Sequence, residues 1–180
     1  MNETYTLHVA GLERELPICP VNDKLSIAAF VLFSDVELTV ACARDLLQVV
    51  PDFDAVLTAE AKGIPLAYEM ARQSGKPYYL ARKGIKVYMP DVVEADVQSI
   101  TTAGLQKLYL ERAYADAMAG KRILIVDDVI STGQSLAALE HLVGLCGGVT
   151  AAKAAVLAEG DATERADIVY LEKLPLFFRD

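Results

Sequence analysis

The sequence predicts an α/β protein with a mainly parallel central sheet flanked by helices. Three observations predict it. Short apolar runs recur along the chain and alternate with segments of helical periodicity. One of them, Ile123–Val126 in RILIVDD, is continuously apolar rather than alternating, as a parallel strand covered on both faces requires. The helical segments stop where glycine or proline stops a helix, at Pro51, Gly75 and Gly147-Gly148.

Taken in order, YTLHVAGLERELPI (5–18) alternates around Gly11 and predicts a short hairpin. From Ser34 the pattern turns helical. Ser34 and Glu37 have capping-box spacing, and Val36, Val40, Ala43, Leu47 and Val50 recur at helical intervals up to Pro51. DAVLTA (54–59) reads as a strand, Gly63-Ile64-Pro65 as the entry to a helix ending near Gly75, and PYYLAR (77–82) as the next strand. Residues 83–106 are the least regular and are expected to form a long mobile loop or an exposed hairpin. LYLE (108–111) precedes a polar connection to Gly120. The strand RILIVDD, a helix from about Gln134 to Cys146, and the strands VTAAKAAVLAEG and DIVYLEKL complete the chain.

Composition narrows the function classes. The 180 residues are 53% hydrophobic and 23% charged, which fits a single globular domain and excludes extended disorder. A net charge of −8 argues against a nucleic-acid binder, which needs a basic footprint. Three widely spaced cysteines, Cys19, Cys42 and Cys146, make neither a disulfide framework nor a zinc site. No leader pattern and no membrane-length apolar run is readable, so a cytoplasmic protein without membrane association is expected.

The segment RILIVDDVISTGQSL (122–136) demands a chemical explanation. In a parallel sheet, ligands bind where strands end at their carboxyl edge. Asp127 and Asp128 stand at such an end. Ser131, Thr132, Gly133, Gln134 and Ser135 then turn into a helix, whose free N–H groups and positive dipole end suit a phosphate. Acids cannot hold phosphate, so the pair calls for sugar hydroxyls or a hydrated Mg²⁺. A phosphate beside a diol or a hydrated metal describes a ribose 5-phosphate. Neither a Walker loop nor a dinucleotide fingerprint is present.

ILIVDDVISTGQS resembles the phosphoribosyl-diphosphate (PRPP) motif of the type I phosphoribosyltransferases. TAEAKGIPLA (58–67) is similar to the pyrophosphate loop of the purine-salvage members, and ARKGIKVYMP (81–90) to the basic segment that follows in adenine-type enzymes. Order and spacing agree over about 54–157, and LEKLPLFF (171–178) adds a weaker likeness. The resemblance implies one phosphoribosyltransferase domain over 1–180, with a small N-terminal hood from 1–33, a PRPP-binding core at 54–157 and a mobile loop at 83–106.

It further implies a reaction in which a purine base takes the ribose 5-phosphate of PRPP and expels pyrophosphate, with Mg²⁺ as cofactor. Ser131–Ser135 would hold the 5-phosphate. Asp127 and Asp128 would face the ribose hydroxyls and the metal's water shell. Glu60, Ala61, Lys62 and Gly63 would meet the pyrophosphate, with Arg82, Lys83 and Lys86 adding charge. Ser99, Thr101 and Thr102 would lie at the tip of the mobile loop, which closes to exclude water. Val21, Asn22 and Ile130 would line the base. A homodimer is expected.

Two departures bear on the base. Ala61-Lys62 stands where adenine-type members have Ser-Arg, and the Leu-Glu-Tyr of their mobile loop is missing; TAEAKGIP is also similar to archaeal hypoxanthine/guanine enzymes. Ser131, in place of the acid common in 6-oxopurine enzymes, favours adenine. The alternatives are a 6-oxopurine enzyme acting on hypoxanthine, guanine or xanthine, and a PRPP-sensing regulator without turnover. His8 and His141 lie in no nucleophile context, so triad chemistry is not expected.

Overall fold

The computed structural model describes residues 3–97 and 106–179. The central sheet is parallel with strand order β10-β9-β8-β4-β5, formed by β4 (Ala55–Ala59), β5 (Tyr78–Ala81), β8 (Arg122–Ile130), β9 (Val149–Glu159) and β10 (Val169–Leu174). β8 lies at its centre, and Ile123, Leu124, Ile125 and Val126 are all 0% exposed. Their side chains divide between two cores. Ile123 and Ile125 join the core built with helix α4 (Gln134–Leu145), whereas Leu124 and Val126 join the one built with helices α1 (Val36–Val49) and α2 (Ile64–Ser74). Double coverage is the reason this strand reads as an unbroken apolar run.

A second, antiparallel sheet joins the two ends of the chain, with order β1-β2-β3-β11. β1 (Thr4–Val9) and β2 (Leu12–Asn22) form the expected hairpin, with Gly11 at φ +76 in the turn. β3 (Leu25–Ala28) pairs with β11 (Leu176–Phe178), which the sequence did not announce as a strand of its own. Tyr5 meets Phe177 edge-on, ring centroids 5.8 Å apart, so the LPLFF tail is packing material for the N-terminal sheet.

Two expectations need correction. The cap of α1 is Asp35, not Ser34: its carboxylate accepts from Leu38 N at 3.0 Å, while Ser34 sits in the turn at φ +70. Asp35 also accepts from Arg14 at 2.7 and 3.1 Å, which ties the N-terminal sheet to the helix start. The buried face of α1 is Leu38, Cys42 and Leu46 with Thr39 and Ala43, whereas Val36 is 73% exposed. Several apolar stripes fit one helix, and contact with α2 selects this one. The polar connection before Gly120 contains helix α3 (Arg112–Met118), which buries Ala115 and Met118.

Of the two alternatives for 83–106, the described residues form a hairpin, and one that is partly buried rather than exposed. Val92–Val97 (β6) and Gln106–Glu111 (β7) pair antiparallel into an arm that buries Ala95, Leu108 and Leu110 in the same core as α4. Arg82 and Tyr109 exchange two backbone hydrogen bonds of 2.8 Å, which anchors the arm to the end of β5. Ser99, Thr101 and Thr102 lie outside the described residues.

The assignment of the α1 face has a direct stability test. Leu46→Ala is expected to cost about 2–5 kcal/mol, and Val36→Ala less than about 0.5 kcal/mol, both read by urea denaturation.

Candidate active site

The site is assembled at the carboxyl ends of β4, β5, β8 and β9. β8 carries Asp127 and Asp128, and the turn after it carries Ser131–Ser135. Asp127, Val129, Ile130 and the loop Ser131–Leu136 line a small cavity of about 60 Å³. Gly133, at φ +75, is the residue from which α4 starts, and no side chain caps that helix. The first N–H groups of α4 are therefore left for an anion. Ile130, 3% exposed, forms one wall.

The two acids are buried unequally and lie against each other. Asp128 is 2% exposed, and its Oδ2 has no hydrogen bond. Asp127 Oδ1 accepts from the backbone N–H of Asp128 at 2.9 Å. Burial pushes Asp127 well above the ordinary carboxylate range, and the neighbouring charge and hydrogen bond of Asp128 push it further; the backbone N–H of Asp128 and the Lys62 charge oppose this.

The turn Glu60–Gly63 lies against this strand end, and the Glu60–Ala61 peptide is cis. Gly63 packs directly on β8: a Cβ placed there would be 3.1 Å from Asp127 Oδ1, 3.2 Å from Asp127 Cα and well inside contact distance of Thr58 Oγ1. Only glycine brings the turn this close. Lys62 Nζ comes within 3.1 Å of Asp128 Oδ2, an ion pair without hydrogen-bond geometry. α2 then starts with Pro in its first turn and no side-chain cap, as the Gly-Ile-Pro entry predicted.

Glu60 has a role the sequence did not suggest. Its carboxylate accepts from Arg82 Nη1 at 2.7 Å and from the Lys83 backbone N–H at 3.1 Å, pinning the start of the basic segment to the end of β4. Burial alone would raise its pKa, but the Lys83 N–H and the charges of Arg82 and Lys86 outweigh burial and hold it below the ordinary value. Arg82 is therefore already partnered, and its guanidinium also lies 5.6 Å from the Tyr88 ring centroid. Lys83 and Lys86 remain exposed on the same segment.

Of the base-site candidates, Val21 is 56% exposed at the end of β2. Asn22 Oδ1 accepts from Lys24 N at 2.9 Å and so shapes the β2–β3 turn, leaving its NH₂ group to a ligand.

Three residues were missed. Thr58 is 0% exposed, and its hydroxyl has no partner below Gly63. Glu159, at the end of β9, is raised by burial and lowered by Lys62. Arg165 follows the short 3-10 helix Gly160–Glu164 and lays its Nη1 on Gly133, while donating to Asp167 at 2.9 and 2.7 Å. It also helps line a cavity of about 720 Å³ between the arm and α4, which reaches Thr132, Gly133 and Gln134. Glu159 and Arg165 stand outside the quoted motifs, and Thr58, though it opens TAEAKGIPLA, carries no pattern that singles it out.

Two outcomes are expected. Gly63→Ala should destabilise the protein by about 1–3 kcal/mol through overpacking, and a Thr58→Ala background should recover part of that loss in a double-mutant cycle. The second concerns pH. A carboxyl with a raised pKa takes up its proton in the folded protein before it does in the unfolded chain. Its burial penalty is full above neutral pH and fades as pH falls towards the ordinary carboxylate range. Asp127→Asn should therefore stabilise the metal-free protein at pH 8 with the gain vanishing near pH 4; a gain independent of pH in thermal unfolding would contradict the raised proton affinity.

Comparison with known proteins agrees with this geometry. Residues 40–174 match the model of the phosphoribosyl transferase domain. The hypoxanthine/guanine phosphoribosyltransferase of Methanosarcina mazei is 36% identical over 109 residues, covering 60% of this chain and 53% of that protein. The chain thus spans little more than half of that relative. The adenine phosphoribosyltransferase of Saccharopolyspora erythraea is 33% identical over 154 residues, covering 82% and 78%. Among solved structures, the adenine phosphoribosyltransferase of Thermoanaerobacter pseudethanolicus superposes with a TM-score of 0.72 at 21% identity, over 88% of this chain and 95% of that one. The chain belongs to the phosphoribosyl transferase domain family and has the type I phosphoribosyltransferase fold, a parallel core with an antiparallel N-terminal part.

Proposed function

We propose that this chain is a Mg²⁺-dependent purine phosphoribosyltransferase of purine salvage, moving the ribose 5-phosphate of PRPP onto a purine, adenine first, with release of pyrophosphate. The observation that carries the reading is the convergence at one strand end. An acid pair with one member buried, an uncapped helix start lined by hydroxyls, and a glycine turn carrying Lys62 meet there.

Each part has a physical task. The free N–H groups at the start of α4, with the hydroxyls of Ser131, Thr132 and Ser135, hold the 5-phosphate. Asp127 and Asp128 accept from the ribose hydroxyls and, as positive charge grows on the ring carbon, stabilise it through fixed negative charge in a water-poor site. In the transfer, the bond from that carbon to the pyrophosphate oxygen breaks with its electron pair, a bond to a purine nitrogen forms, and that nitrogen's proton passes to the pyrophosphate or to solvent. The Ala61–Gly63 backbone and Lys62 receive the departing polyanion, with Lys83 and Lys86 nearby. Arg82 acts mainly by holding that segment on Glu60. Val21, Asn22 and Ile130 bound the base, which places the hood in residues 1–33. The arm spanning 83–106, with Ser99, Thr101 and Thr102, covers the reaction.

The acids fit a divalent cation of the Mg²⁺ kind. Asp128 Oδ2 is buried and without a hydrogen bond, and Asp127 stands beside it. Among the described residues no group of three or more His, Cys, Asp or Glu side chains is disposed to enclose a metal. One or two carboxylates, water and substrate oxygens are what Mg²⁺ uses when it arrives with a polyphosphate. When bound, the ion neutralises and orients the pyrophosphate.

A second reading, a 6-oxopurine enzyme, is favoured by relatives named hypoxanthine/guanine phosphoribosyltransferase and, in an Exiguobacterium species, xanthine phosphoribosyltransferase. A homodimer at work in the cytoplasm is part of the proposal. Among the described residues no helix is long and apolar enough to cross a membrane.

The deciding experiment is turnover with PRPP and Mg²⁺ on adenine, hypoxanthine, guanine and xanthine in parallel. Adenine is expected to be preferred. Preference for another purine selects the second reading, and PRPP binding without turnover on any of the four makes the chain a regulator. In the active case, replacing both Asp127 and Asp128 by Asn should leave the fold intact and lower kcat/KM by about a hundredfold or more; wild-type activity would remove the acids from the mechanism.

A further inference from the structure

Lys62 is committed to Asp128 before any ligand arrives. Asp128 is 2% exposed, and its Oδ2 has no hydrogen bond. The ammonium of Lys62, at 3.1 Å, is its ion-pair partner. The same cation is felt by Asp127 and by Glu159 at the neighbouring strand end. Yet the Lys62 side chain is 53% exposed, carried on an open turn by a flexible four-carbon stem. A buried carboxylate is thus neutralised by a mobile cation, on the turn that the reading above assigns to pyrophosphate. One ammonium drawn onto a departing polyanion answers the charge of Asp128 less fully than when it rests on Asp128 alone.

We propose that Lys62 is an exchangeable counter-ion: it occupies the acid pair's cation position in the empty site and leaves it for the pyrophosphate when PRPP binds with a divalent cation. The inference rests on the PRPP reading. Its consequence is an order of events. Without a polyphosphate, Lys62 competes with the metal for Asp128, so the acids hold little metal. Without the metal, Asp128 competes with pyrophosphate for Lys62, so the turn holds little pyrophosphate. Each half of the substrate complex releases the other's site, and partial complexes are disfavoured by Coulomb balance alone.

The test uses the full chain and two probes, Mn²⁺ followed by electron paramagnetic resonance and metal-free inorganic pyrophosphate followed by calorimetry. Lys62→Met keeps most of the stem and removes the charge. It should tighten Mn²⁺ binding in the absence of PRPP by about tenfold, the scale on which a cation a few ångströms away shifts a carboxylate's affinity for positive charge. Asp128→Asn, which leaves no unpaired buried charge, should free Lys62 and tighten metal-free pyrophosphate by at least about threefold, on the same ground. In the double variant Lys62→Met/Asp128→Asn that gain should vanish. A gain that persists there is relief of carboxylate repulsion and overturns the proposal, as does an unchanged affinity in both single variants. Should Lys62→Met fail to fold, the pyrophosphate arm decides through Asp128→Asn and the double variant. Failure of the wild-type protein to bind PRPP with Mn²⁺ has a different signature and removes the PRPP reading itself, whatever the variants do.

Discussion

The placing of two adjacent carboxylates at the end of β8, Asp128 buried and Asp127 half-buried, is the constraint around which the rest of the structure is arranged. A central strand covered on both faces delivers Asp127 and Asp128 into a place with little water, where charge is costly unless it is answered. The answers come from outside the strand. The Lys62 turn supplies a cation, and the backbone N–H of Asp128 supplies a donor to Asp127. Gly63 gives up its side chain so that the turn can come this close. Such a centre is poor for stability and good for a reaction in which positive charge appears beside it.

Cations around the site are mostly spoken for in the same way. Arg82 is held by Glu60, Arg165 by Asp167, and Lys153 by Asp167 and Glu140. An acidic chain thus keeps local positive charge near the Ser131–Ser135 loop without presenting a basic surface. Lys62 differs in being exposed while its partner is buried, so it is the cation whose departure costs the site most. That asymmetry makes the Glu60–Gly63 turn and the acid pair a single electrostatic unit rather than two separate neighbours.

The arm shows how a polar stretch becomes part of the core. Ala95, Leu108 and Leu110 are too few and too scattered to mark a strand pair by pattern, yet they suffice to seat β6 and β7 on α4. The two Arg82–Tyr109 hydrogen bonds carry the sheet's pairing into the arm, so the segment that would cover the reaction is anchored at the same point where Glu60 anchors the basic stretch.

The sequence by itself determined the strand–loop–helix at 122–146, the central parallel sheet, the N-terminal hairpin and the glycine turn at 60–63. These features rest on local rules: an unbroken apolar run, small residues before a helix, glycine and proline at its ends. They were legible because the individual strands, turns and helices that compose them are each enforced within about fifteen residues. Only the tertiary structure decided which face of α1 is buried, that Asp35 rather than Ser34 caps it, and that Glu60 points back to Arg82. It alone brought Thr58, Glu159 and Arg165 to the site, from three separate strands or their exits. The physical reason is that the contacts which decide between local alternatives join partners far apart in the chain, 21 residues for Arg14–Asp35 and 22 for Glu60–Arg82, so the energy that fixes them appears only once the sheet has assembled.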